Sequence, residues 1–535
     1  MERKREREAE RRRDGETERR RDGETEKKRH REKKRRRGFF FSPSLRLSAL
    51  LSLRPSVSPS LSSIIALGLM VVMAGATLAF GAVEPWSMAT FGLSIIALLV
   101  LWVIKGLVDR RLEIFAPSTA LPIVALISLG VLQGVAITGS AGKRFSISLD
   151  AEATRLVTEV LLILLIAFLL SANFLAKAPA LTWLRTFLIF FGLALAVFGL
   201  IQRFTWNGKY YWMIEPSAQP PAPFGPFVNH NHFAGYVEMI APIPVALILR
   251  RAVRGELAVF YGFAAAMMGL AVVMSLSRGG MISLVAGLMF VVAFGFKGSG
   301  KRGIEDRGSR IEDRRRSIFD LRSSILDPRS SIPLAASRAG AIIVMLFTIG
   351  AGVWWIGADP VIRRVEKSEL APKSMDAGGG DTFFRSRGWI WRDTAVMIRD
   401  RWALGVGIGA YQTAYPIYSS HDGTLEVGQA HNDYLQIMAD AGVFGGVIAL
   451  WFIFLVARDT VRASRHGSRV MSGTALGAAS GMFALFVHSL FDFNFQIPSN
   501  ALLFLVLTSV VSRIACEANG GASSAQGTQS AQRAY

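Results

Sequence analysis

A single cysteine, Cys516, stands among 535 residues, so no disulfide can form within the chain and no cysteine-built zinc or iron–sulfur site is available to it. Charge is scarce as well. Asp, Glu, Lys and Arg make up 19% of the residues against 51% hydrophobic, and the mean hydropathy is +0.35. Those values exclude a soluble enzyme, a disordered protein and a secreted disulfide scaffold. No Gly-rich phosphate loop joins a strand to a helix, which argues against nucleotide-driven chemistry. The net charge of +21 suggests a nucleic-acid partner at first sight. Much of that excess sits in two low-complexity segments and most of the rest flanks apolar runs, so no nucleic acid is expected.

What the chain has in quantity is apolar length. About twelve runs are long enough to cross a bilayer, including Ala120–Ile137, Leu156–Leu170, Phe233–Leu249, Ala341–Ile356 and Ala501–Val511. The pattern predicts an all-α integral membrane protein. Residues 62–297 carry the first eight spans and 339–514 the last four, with a long loop over 357–441 ahead of the final three. Residues 1–61 form a basic low-complexity tail in which Arg11–Glu18 is copied at Arg19–Glu26. It reads either as a disordered end or as a polybasic arm for anionic lipid, and not as a signal peptide. Residues 298–338 repeat an isoleucine every seven positions (Ile304, Ile311, Ile318, Ile325, Ile332). The second apolar heptad position that a coiled coil needs is missing, so this is read as a disordered loop insertion. The Ser/Gly/Gln-rich residues 515–535 read as a disordered tail.

Basic residues in the connections (Lys105, Arg110, Arg111, Arg250, Arg251, Arg254, Arg458, Arg462) set the orientation. They put both termini in the cytoplasm and leave 203–232, 277–280 and 357–441 on the outer face. Three clusters meet there: Asn229-His-Asn-His232, Ser275-Leu-Ser-Arg-Gly-Gly280, and Arg385-Ser-Arg-Gly-Trp-Ile-Trp391 with His431-Asn-Asp-Tyr-Leu-Gln436. Arg278 is either an interface arginine reaching for water or a ligand for an anion, the small residues around it favouring close approach. Arg385 and Arg387 suit a doubly anionic group, since guanidinium grips phosphate with two parallel bonds and no metal. Trp389 and Trp391 suit an interface or a sugar platform. His431, at a helix start, is a cap or packing residue or else a general base. His230 and His232 lack a third ligand, so a metal site is not expected.

These motifs, with Leu404-Gly-Val-Gly407 and the glycines at 442 and 445, resemble the O-antigen ligase family, which includes O-antigen polymerases and protein O-oligosaccharyltransferases. The resemblance spans roughly Ser62 to Val511. It implies a cofactor-free, metal-independent inverting glycosyltransferase of the bacterial inner membrane, with its active site on the periplasmic face. The donor would be a polyprenyl-diphosphate-linked glycan and the acceptor lipid A–core or another hydroxyl. His431 would activate the acceptor; Arg278, Arg387 and Arg385 would hold the diphosphate; Asn229, His232, Trp389, Trp391 and Asn432 would line the substrate site. Asp440, where many members have Glu, receives no role. The alternatives are a polymerase or protein transferase within the same chemistry, and an inorganic-carbon or other transporter outside it. A transporter would set ionisable groups at mid-membrane, whereas here the polar residues gather at the mouths of the spans.

Overall fold

The computed structural model describes residues 59–135, 137–138, 144–215, 223–295, 382–420 and 426–533. The basic tail up to residue 58, the repeat insertion, the expected span Ala341–Ile356 and the start of the long loop lie outside the described residues. Within them the chain is almost wholly helical. In order come α1 (Pro59–Leu78), α2 (Pro85–Val108), α3 (Ala120–Gly134), α4 (Ala151–Leu170), α5 (Ala178–Phe204), α6 (His230–Ile240), α7 (Pro242–Leu249), α8 (Glu256–Met274) and α9 (Arg278–Gly295). After the gap follow α10 (Thr382–Asp400), α11 (Tyr411–Tyr418), α12 (Asp433–Ala463), α13 (Arg469–His488) and α14 (Pro498–Arg533). One two-residue antiparallel pair, Ile137–Thr138 with Arg144–Phe145, separates α3 from α4.

Ten helices among the described residues are long and apolar enough to cross a membrane, α6 and α7 counting as one. The expected run Ala120–Ile137 is helical only to Gly134. Leu156–Leu170 is longer than its apolar stretch: Asp150 caps the polar first turn of α4, its carboxylate accepting from the Ala153 amide at 3.0 Å, and a π turn over Ser171–Leu175 extends the far end. The last helix is assigned as far as Arg533, into the Ser/Gly/Gln-rich residues read from composition as a tail.

Connections at one end of the bundle interlock. Leu149 N donates to Val406 O at 2.8 Å and Asp433 N to Ser489 O at 2.9 Å. At the other end Thr119 and Ser512 hydroxyls meet at 3.1 Å, and the Arg513 guanidinium lies 4.8 Å from the Phe115 ring centre. The interior is tight where α13 meets α6: a Cβ on Gly481 would lie 2.1 Å from Met239 O, so only glycine permits that approach.

The Gly-rich sequence Leu404–Ala410 lies against a break in α12. Gly442 leaves helical geometry at φ 60°, ψ −155°, which frees carbonyls inside the helix. The loop takes them: Val406 N donates to Ala439 O at 2.9 Å and Gly407 N to Asp440 O at 3.0 Å. Buried Gln133 of α3 completes the joint, its amide donating to Leu404 O at 2.6 Å and Asp440 O at 3.0 Å while its oxygen accepts from Ile408 N at 3.0 Å. Gly405 has φ 70° with its missing Cβ 2.4 Å from a backbone carbon of Asp440, so both conformation and space demand glycine. Gly405→Ala is expected to destabilise the protein by about 1–3 kcal/mol. Gly75→Ala, in α1 with open space around it, is expected to be neutral or stabilising by up to about 1 kcal/mol. Thermal unfolding of the two variants in detergent checks the contrast.

Candidate active site

The interlocked end of the bundle is built around one carboxyl. Asp492, in the connection between α13 and α14, is 1% exposed. Its Oδ1 lies 3.6 Å from His431 Nδ1 and accepts from the Phe493 amide at 2.9 Å. Burial pushes this carboxyl up, but His431 in contact with it and the positive influence of His232, Arg387 and His488 hold it well below the usual carboxylate range. Arg387, on α10, is itself buried and donates to the carbonyl of Phe491, the residue before Asp492. Burial lowers its guanidinium, Asp492 opposes that, and Arg278 adds to it by repulsion. Arg387, His431 and His232 are thus gathered around Asp492 from three separate elements, and Arg278, from a fourth, lies near enough to Arg387 to act on its charge.

The backbone at His431 is under constraint. Its φ is +49°, a left-handed conformation that costs a non-glycine residue about 1–3 kcal/mol unless its neighbours over-determine it. They do so on both sides. Ala430 is fixed by the Trp391 indole, which donates to its carbonyl at 3.0 Å, and by Gln436, whose oxygen accepts its amide at 2.8 Å. Asn432 caps α12, its oxygen accepting from Tyr434 and Leu435 amides at 3.0 and 3.1 Å and its amide donating to Leu490 O at 3.0 Å. The imidazole is left one-third exposed, with the Phe493 ring 5.0 Å away edge-on; His232 lies edge-on to the same ring at 4.9 Å.

Arg278 opens α9, where Ser277 Oγ accepts from the Gly280 amide at 3.1 Å. Behind it lies a second buried group. Glu238 of α6 accepts from Ser283 Oγ of α9 at 2.6 Å and pairs with His488 Nδ1 of α13 at 3.0 Å. The His488 ring in turn sits where a Cβ on Gly279 would be, 2.8 Å from that position. One carboxyl therefore fixes the start of the Arg278 helix relative to the segment that carries Asp492.

The substrate-lining residues expected from sequence divide. His232 lies inside the cluster. Asn229 caps α6, its side-chain oxygen accepting from the Asn231 amide at 2.9 Å, and Asn432 spends its polar atoms as described; both shape the site as helix caps. Trp391 is tied into the backbone ahead of His431, whereas Trp389 keeps 43% exposure. Arg385 lies on the first turns of α10, its side chain outside the described residues. Sequence reasoning missed Asp492, Glu238 and His488. Glu238 and His488 carried a readable signal, being ionisable residues in apolar spans; Asp492 offered only an acid between two spans at the mouth where His431 lies.

A polytopic membrane protein with arginines, histidines and buried carboxyls at a single end of its bundle defines the class. Residues 263–450 match the family model described as O-Antigen ligase, a stretch that includes Arg278, Arg387, the Gly-rich loop and His431. Over that stretch the chain is similar to the O-antigen ligase family. No curated protein matches the chain.

The depressed Asp492 carboxyl has a consequence for acid stability. An unfolded Asp takes up its proton near pH ~3.9, while the native group resists it. Its contribution is present above about pH 5 and is lost as pH falls toward the lower native value. The melting temperature of the wild type is therefore expected to drop more steeply between about pH 5 and 3 than that of Asp492→Asn, measured in the same detergent.

Proposed function

We propose that this protein transfers a glycan from a polyprenyl diphosphate carrier to a hydroxyl acceptor, lipid A–core or a comparable envelope glycan, at the periplasmic face of a bacterial inner membrane. The observation that carries the reading is that Arg387 and the partly exposed His431 meet at Asp492 while Arg278 lies beside Arg387. Two guanidiniums match the geometry and charge of a diphosphate, and a histidine braced by a carboxylate matches proton abstraction from an alcohol.

The acceptor oxygen attacks the anomeric carbon of the carrier-linked sugar. As that bond forms, the bond from the anomeric carbon to the diphosphate oxygen breaks, and the hydroxyl proton passes to His431. Asp492 stabilises the resulting imidazolium. Arg278 and Arg387 meet the charge growing on the leaving diphosphate, with Arg385 as a third cation. These guanidiniums supply what a divalent cation would otherwise bring, so the reaction is metal-independent, and a single displacement inverts the anomeric centre. Trp389, with its face in part open, offers a stacking surface for the sugar. The sealed pair Glu238–His488, each at most 1% exposed, is closed to a passing solute, which favours an enzyme over a transporter.

His431→Ala is expected to lower transfer at least about 100-fold while insertion and yield stay normal, assayed with purified protein and lipid-linked donor; activity within tenfold of wild type removes His431 as the base. Arg278→Lys is expected to fail nearly as badly as Arg278→Ala, because lysine keeps the charge and loses the planar fork. EDTA is expected to leave the wild type unchanged. Wild-type transfer by the lysine variant would reduce Arg278 to an interface anchor, and EDTA-sensitive activity restored by Mg²⁺ would overturn the metal-free step.

A further inference from the structure

Helix α10 has two unlike sides. On one, Ile390, Asp393, Thr394 and Met397 are buried. The Tyr415 hydroxyl donates to Asp393 at 2.9 Å, and the Thr394 and Tyr411 hydroxyls meet at 2.6 Å, so α11 clamps this side. On the other, Arg392, Val396 and Arg399 are exposed. Their spacing of four and three residues sets them in one stripe. Arg401 and Trp402, just past the helix end, are exposed too, Trp402 by 65%. None of these three arginines is in an ion pair among the described residues. Asp400, which stands between two of them in sequence, accepts from the Tyr418 hydroxyl at 2.7 Å.

The end of the stripe is tied to the kink in α12, where the Trp402 carbonyl accepts from the Val443 amide at 2.8 Å. Beyond Gly442 the helix runs on to Ala463. At ~1.5 Å per residue that is roughly 30 Å, about the thickness of a bilayer core. Val443 therefore stands at one edge of the hydrocarbon. That edge belongs to the end of the bundle with Asp492, since α12 begins at Asp433, whose amide donates to Ser489 O at 2.9 Å. Phe444, Val447 and Leu450 continue from it as an exposed apolar face on the spanning part of α12. Trp402 is at the level of the edge, where indole rings concentrate in membrane proteins.

We propose that α10 and the turn after it ride on the membrane surface, with Trp402 at the hydrocarbon edge and Arg392, Arg399 and Arg401 binding the phosphates of anionic glycerophospholipids. Clustered basic residues beside a span are drawn to such headgroups. The tie from Trp402 to the apolar face of α12 favours a lipid surface over a soluble acidic glycan. The buried side of the same helix brings Arg387 to the Phe491 carbonyl and Trp391 to that of Ala430. Headgroup binding then sets the height of the site above the bilayer. That consequence rests on the transferase reading; the lipid binding does not.

The test uses full-length protein in nanodiscs that hold a phosphatidylglycerol probe with a diazirine at its headgroup. Saturable crosslinking to the peptide 388–404 is expected, at least about tenfold above that of the matching phosphatidylcholine probe. Joint replacement Arg392→Gln, Arg399→Gln and Arg401→Gln is expected to abolish the preference. The three changes to lysine are expected to keep it, because the surface reads charge, and this separates lost binding from lost folding. Trp402 emission, taken as the difference between wild type and Trp402→Phe, is expected to be quenched by lipids brominated high in the acyl chain. His431→Ala is expected to label like the wild type, so failure of the transferase reading leaves this one standing. Equal labelling by both probes, labelling unchanged in the glutamine variant, or unquenched Trp402 would overturn the proposal. Displacement of the probe by a soluble acidic polysaccharide or by polyprenyl diphosphate would also overturn it, giving the stripe to a glycan or to the donor.

Discussion

A carboxyl that is 1% exposed can remain ionised only if the protein replaces the water it has lost. Around Asp492 the replacement is made by His431, His232, Arg387 and His488, drawn from elements far apart in the chain. Removing any one of these leaves the others with a mismatch of charge inside the protein. The same requirement that keeps Asp492 satisfied therefore keeps the imidazole and the guanidinium in register, and electrostatic balance does the positioning that covalent links do in a disulfide scaffold.

A second constraint acts on the backbone. The break in α12 at Gly442 and the run of positive-φ glycines at 405, 407 and 409 are complementary defects. Each has backbone groups that cannot be satisfied within itself, and each supplies the other's missing partners. This joint and the Trp391 bond to Ala430 hold the segment 428–434 from both sides, which is why His431 can occupy a left-handed conformation.

Legibility in the sequence followed the range of the interaction. The spans were readable because a transmembrane helix satisfies its backbone locally and so declares itself by apolar length alone; the errors fell at ends set by other elements, as at Gly134, where Gln133 turns to the Gly-rich loop. Arg278 and Arg387 stand out in the sequence beside glycine and serine, and His431 at a helix start ahead of Asn432 and Asp433; their roles remain those of the proposal. Asn229 and Asn432, expected from sequence to line the substrate site, cap helices in the structure. The pairing of Glu238 with His488 was not legible, because the two lie 250 residues apart and no local spacing encodes such a contact.

That separation between Glu238 and His488 bears on how the protein is made. The span α6–α7 emerges from the ribosome with a carboxyl in its apolar body, and its first partner, Ser283, arrives only with α9. The second, His488, arrives with the penultimate span of the described chain. Until then the carboxyl must stay neutral, keep water beside it or remain near the insertion machinery. Completion of this fold is thus a late event in synthesis, and chains arrested before α13 present an uncompensated acid within the bilayer, a feature by which quality control can tell an unfinished molecule from a finished one.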